Sequence, residues 1–100
     1  MTEQPPADPR VAAVVAALQD EDPRPVVYLG GVRLRAELAA ALGEDHPAAA
    51  SGREALAYTV AARPLLNSKH GLSIGSRRDE YGRLRRVRLT RLENPVRAAA

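Results

Sequence analysis

The stretch from Leu72 to Leu92 constrains this chain more than any other part of it. Leu72-Ser-Ile-Gly-Ser leads into Arg77-Arg-Asp-Glu-Tyr-Gly-Arg, and Leu84-Arg-Arg-Val-Arg-Leu-Thr-Arg-Leu follows. In the last run Val87 and Leu89 alternate with Arg86, Arg88 and Thr90, the period of a strand that packs one face and exposes the other. Gly82 suits a turn that needs positive φ, so the pattern predicts a β-hairpin. Seven arginines lie between Arg77 and Arg91, so its exposed face is a row of guanidinium groups.

A hairpin of this kind needs apolar cover, and the preceding sequence supplies helices. Asp8 as N-cap and Pro9 in the first turn open a helix over about Pro9 to Gln19, with Val11, Val14, Val15 and Leu18 at helical spacing. The Asp20-Glu-Asp-Pro run stops it. Pro25-Val-Val-Tyr-Leu29, closed by Gly30-Gly31, reads as a short strand that pairs with the hairpin. Leu34, Leu38 and Leu42 make one stripe of a second helix, Val32 to Leu42, ended by Gly43. Glu44 to Ala50 reads as a connector, and Ser51 with Glu54 forms a capping box for a third helix, on which Leu56 and Val60 face inward. Pro64 lacks an N–H and disfavours helical geometry at Arg63. The third helix therefore either stops near Ala62 or kinks into a last turn through Leu65 and Leu66. Residues 1–8 read as a disordered tail, 9–93 as one domain, and 94–100 as a tail or short helical stub.

One hundred residues allow a single core but hardly a deep enclosed site. With no cysteine, disulfides, thiolate zinc sites and cysteine nucleophiles are excluded. His46 and His70 show neither a carboxylate partner nor metal-ligand spacing, so no metal site, cofactor or catalytic activity is expected. Gly30-Gly31 follows a strand and precedes a helix, yet no phosphate-loop fingerprint surrounds it. The start of the chain lacks signal-peptide character and no apolar run approaches about 18 residues, so a cytoplasmic protein without a membrane span is expected. Residues 1–50 hold four basic and eight acidic side chains, a net of −4, whereas residues 51–100 hold eleven basic and four acidic, a net of +7. Such polarity draws polyanions to one side of a small molecule. Fourteen of the fifteen cations are arginine and nineteen residues are alanine, a usage that a GC-rich genome also produces. The basic half thus admits both a nucleic-acid face and a solvated or partner-facing surface.

The order helix, short strand, helix, helix, two-stranded hairpin resembles the winged helix-turn-helix domain over about residues 9–92. The resemblance implies an α+β fold with a three-helix core and a C-terminal hairpin wing, duplex DNA as partner, and a role in transcriptional or replication-linked regulation. It also implies that residues 52–63 enter the major groove and that the tip from Arg77 to Arg83 is the wing. Arg77, Arg78 and Arg83, with Arg85, are the candidate phosphate contacts, since the planar guanidinium fork stays charged and donates several bonds. Asp79 and Glu80 beside them can neutralise part of the tip, and Tyr81 either stacks on a nucleotide or folds back over the hairpin. Arg53, Tyr58, Thr59 and Arg63 are the polar groups of the third helix that can meet base edges. Asn67 and Lys69 offer phosphate donors, or else simply end a helix together with His70. Arg33 and Arg35, cations in the first turns of a helix, call for an external anion or an acidic neighbour. A single module reads few bases, so a homodimer is expected, joined through the alanine and valine surface of helix one or through Val96 to Ala100. The alternative is a protein-binding winged helix, an adaptor or inhibitor whose basic face docks on an acidic partner.

Overall fold

A computed structural model describes residues 4–92, and the C-terminal tail and its Val96–Ala100 stub lie outside them. Asp8 caps the first helix, α1 (Pro9–Glu21), by accepting the Arg10 N–H at 2.9 Å. Val11, Ala12, Val15, Ala16 and Leu18 of α1 are buried. The valine face is thus the core itself, and the expected dimer surface on this helix reduces to Ala13 and Ala17 at the exposed positions.

Strand β1 (Val26–Gly30) leads directly into α2 (Gly31–Leu42). Leu34 and Leu38 of α2 are fully buried, and Gly43 closes it at φ 96° with its N–H on Ala39 O. The acidic neighbours that Arg33 and Arg35 require are Glu37 at 3.9 Å and Glu44 at 3.5 Å.

The connector that follows is ordered by contacts no local pattern announces. Pro47–Ala49 form one 3₁₀ turn, capped by His46 Nδ1 accepting the Ala48 N–H at 3.0 Å. Ala48 and Ala49 are buried. His46 Nε2 meets Asp8 Oδ2 at 2.9 Å, contrary to the expectation that this histidine lacks a carboxylate partner. Since Nδ1 accepts, the ring proton sits on Nε2 and is donated to Asp8. Burial works against the Asp8 carboxylate, but the Arg10 N–H, the His46 bond and the Arg10 charge outweigh it and hold its pKa below the usual 3.8.

Ser51 opens α3 (Gly52–Ala61), its Oγ accepting the Glu54 N–H at 3.1 Å. The proline at 64 splits the expected third helix in two: α3 ends at Ala61, and α4 (Arg63–His70) starts beyond Ala62. Pro64 sits in the first turn of α4, where a missing N–H costs nothing. Gly71 ends α4 in the left-handed region, and Lys69 and His70 stand in its last turn, where cations complement the helix dipole. Among the described residues the core therefore holds four α-helices rather than three.

Strands β2 (Leu72–Arg78) and β3 (Leu84–Arg91) form the hairpin. The sheet is antiparallel in the order β1-β3-β2, so β1 does pair with the hairpin, along β3. Val27, Leu29, Ile74, Val87 and Leu89 face inward from it and are buried. α1 packs against α4, α4 against β2, and α3 against both α2 and β3. The fold is thus α+β, with four α-helices against a three-stranded antiparallel sheet among the described residues. No helix among the described residues is long and apolar enough to cross a membrane.

Candidate nucleic-acid interface

The hairpin tip is organised by Asp79. Its Oδ1 accepts the N–H groups of Tyr81 (2.9 Å) and Arg83 (3.0 Å), while its backbone N–H reaches Arg83 O and its carbonyl accepts from Gly82. Gly82 lies at φ 79°, the conformation the turn requires. Arg78 Nη1 donates to Gly82 O at 2.9 Å and lies across the turn. The carboxylate so engaged also stands 4.0 Å from Arg85 Nε, but it pairs with no other arginine of the tip. Tyr81 does not fold back over the hairpin: it is 74% exposed, with the Arg83 guanidinium 5.4 Å from its ring centre.

A register shift marks the base of the tip. Arg77 faces Arg86 and Arg78 faces Leu84, which leaves Arg85 without an opposite number, a β-bulge that bends the strand and re-aims its side chains. From there a groove runs between the hairpin and α3. Arg78, Arg83 and Arg85 form one wall, Arg53 stands on the other, and Ala57, Val60 and Leu84 line the space between. The N-termini of α2 and α3 meet at its end, where Gly31 and Gly52 touch backbone to backbone. Val32 lines the same end and is 88% exposed. Gln4 and Pro5 also border the groove, so this part of the expected tail lies against the domain.

The candidate base readers are distributed differently from the expectation. Thr59 is fully buried and its Oγ1 donates to Ala55 O at 2.8 Å, so it cannot reach a base. Tyr58 is half-buried against the core, its ring edge-to-face with His46 at 5.8 Å. Val60, expected to face inward, is partly buried: it packs against the core and also lines the groove, while the fully buried phase of α3 runs through Ala55, Leu56 and Thr59. Arg63, Asn67 and Lys69 are exposed on α4, whose separate axis takes them off the groove walls. Of the sequence candidates, Arg53, Arg78, Arg83 and Arg85 converge. Among the described residues, Arg53, Arg63, Lys69, Arg77, Arg78, Arg83, Arg86 and Arg88 have no carboxylate within 4.0 Å.

A second basic recess lies on the outer face of the sheet, lined by Tyr28, Gly30, Arg77, Arg78, Arg85 and Arg86, with Arg88 next to it opposite Tyr28; the sequence candidates did not include Tyr28, Arg86 or Arg88. Tyr28 is 45% exposed there. The guanidinium of Arg86 is 5.2 Å and that of Arg77 5.7 Å from its ring centre. The alternation in β3 already puts Arg86 and Arg88 outward, but only the β1–β3 register places Tyr28 beside them. No family model, curated protein or solved structure matches this chain.

Proposed function

We propose that this chain is a winged helix-turn-helix module that binds duplex DNA and acts as a small regulator of transcription or replication. The element order from α1 to β3 and the sheet order β1-β3-β2 support the fold reading, with β2–β3 as the wing. Its departures are the 3₁₀ turn between α2 and α3 and the break at Ala62. The observation that carries the functional reading is the groove whose opposite walls hold guanidinium groups free of carboxylates, Arg53 on α3 and Arg78 and Arg83 on the hairpin. Such groups neutralise phosphates, release counterions and so favour duplex binding.

With Thr59 and Tyr58 turned inward, the groove face of α3 offers Arg53 and otherwise methyl groups. Binding is therefore carried mainly by the DNA backbone, with modest sequence preference from one copy and more from a homodimer on a two-fold site. Titration of labelled duplex at several salt concentrations tests this. Affinity should fall steeply with salt, and Arg78→Ala with Arg83→Ala should reduce the log–log slope by about 2. A salt-independent affinity would overturn the proposal. Absence of duplex binding would favour the second reading, docking of an acidic protein segment with an apolar face, for which the argument is exposed Val32 beside Ala57, Val60 and Leu84.

A further inference from the structure

The outer face of the sheet presents a second surface, which meets the α3 groove at Arg78 and Arg85. Its outward positions are Val26, Tyr28 and Gly30 on β1, Arg86, Arg88 and Thr90 on β3, and Ser73, Gly75 and Arg77 on β2, as the pairings Tyr28–Arg88–Gly75 and Gly30–Arg86–Arg77 require. No carboxylate occupies any of these positions. Three guanidinium groups therefore share this face with one exposed aromatic ring, and none of them has a carboxylate within 4.0 Å among the described residues. Glycine keeps the face open: a Cβ at Gly75 would stand 3.3 Å from Arg88 Nη2, so the absence of a side chain there is what lets this guanidinium lie across β2. Arg77 Nη2 donates to the Tyr28 hydroxyl at 3.4 Å, and that bond, with the nearby charges of Arg77 and Arg88, pulls the phenol pKa below its ordinary value.

The geometry points to this face, Tyr28 with Arg77, Arg86 and Arg88, as a binding platform for single-stranded nucleic acid, in addition to the duplex groove it adjoins. An exposed ring on the face of a sheet is matched by an unpaired base, which has a free π-face to stack. A duplex keeps its bases stacked on one another and shows this ring only phosphates. The Arg86 and Arg77 guanidinium groups lie over the Tyr28 ring at 5.2 and 5.7 Å, and Arg88 follows Arg86 about 6.8 Å along the same strand, so cations stand where the phosphates of a strand whose base packs into this cluster would pass. Aromatic stacking combined with a basic track is the general chemistry of single-strand binding.

The test is fluorescence anisotropy with a labelled oligothymidylate of about 12 nucleotides, within the common range of site sizes, run beside a labelled duplex. Tyr28→Ala should weaken the single strand about tenfold or more, and Tyr28→Phe should hold it within about twofold, since stacking needs the ring and not the hydroxyl. Arg86→Ala with Arg88→Ala should weaken the single strand and flatten its salt dependence. Arg53→Ala with Arg83→Ala should affect duplex and leave the single strand nearly unchanged. Failure of that last pair to alter duplex binding counts against the duplex groove alone, whereas unchanged single-strand affinity in Tyr28→Ala overturns the platform. Equal losses for duplex and single strand in the Tyr28 and Arg86/Arg88 variants also overturn it. Thymidine monophosphate should compete only at far higher concentration than the oligonucleotide; equal potency would make this a mononucleotide site, and equal competition by polyglutamate an undiscriminating cationic surface. Thermal melts accompany each variant. Should Tyr28→Ala fail to fold, the exposed arginine pair and Tyr28→Phe decide the question.

Discussion

Gly31→Ala offers a sharp test of the α2–α3 packing, because helix propensity and packing predict opposite signs. Glycine in a helix is ordinarily less favourable than alanine by about 0.5–1 kcal/mol, so on local grounds alone the substitution should stabilise the chain. In this fold the added Cβ would meet Gly52 O at 2.8 Å, Gly52 C at 2.9 Å and Gly52 Cα at 3.0 Å. These are backbone atoms and cannot rotate away. Restoring an ordinary 3.4 Å contact requires α2 and α3 to separate by roughly 0.6 Å, which loosens Leu34 and Leu38 against Ala55 and Leu56. Overpacking of this kind costs about 1–3 kcal/mol, which exceeds the propensity gain and leaves a net loss of about 1–2 kcal/mol. At this chain length that lowers the melting midpoint by about 4–8 °C per kcal/mol. Urea melts of Gly31→Ala, Gly52→Ala and the double variant measure it, and the double should cost less than the sum, because the first separation already makes room for the second methyl. Val32→Ala, at an exposed position, is the control and should move stability by no more than about 0.5 kcal/mol. A neutral or stabilised Gly31→Ala would refute the close approach of the two helix ends.

Gln19 is fully buried with its Oε1 unpartnered and only a 3.4 Å bond from Nε2 to Pro25 O, so Gln19→Met, similar in size and without that orphan oxygen, should stabilise the domain by about 1 kcal/mol in denaturant melts. Leu38→Ala should cost about 2–5 kcal/mol, whereas Val60→Ala, on the groove, should cost less than about 1 kcal/mol; equal losses would place Val60 in the core. Asp8 has a folded pKa below its ordinary 3.8, so its stabilising contribution is complete above that value and disappears as pH falls through the lower folded one. Asp8→Asn should therefore be less stable than wild type near neutrality, and the gap measured by thermal melts should close in strong acid; a gap independent of pH would refute the Asp8–His46 and Arg10 contacts as its source.

The elements whose signals are local were legible in the sequence. Asp8-Pro9 and the valines mark α1, and the alternation around Val87 and Leu89 marks β3, because capping and period-2 burial are fixed within a few residues. Long-range effects were not. The Asp8–His46 bond joins positions 38 apart, and only the fold brings them together to order the connector. Thr59 reads as polar and Val60 as apolar, yet Thr59 takes the buried position because its hydroxyl is satisfied one turn back at Ala55 O. Hydropathy ranks the two the wrong way round when a side chain can bond its own helix. Pro64 announced a break but not its outcome; α4 exists because its apolar face, Leu65 and Leu66, finds cover in the core, and the candidates Arg63, Asn67 and Lys69 turn with it. The groove arginines were visible as charges, and their convergence depended on the hairpin register.

The β-bulge at Arg85 makes the two basic recesses neighbours that share cations: Arg78 and Arg85 border both the groove beside α3 and the hollow beside Tyr28. A guanidinium drawn toward an anion on one side is withdrawn from the other. Occupancy of either recess should therefore weaken the other by a common factor, since a coupling free energy acts equally in both directions. The bulge would make the hairpin a point of antagonism, where two ligands compete without overlapping.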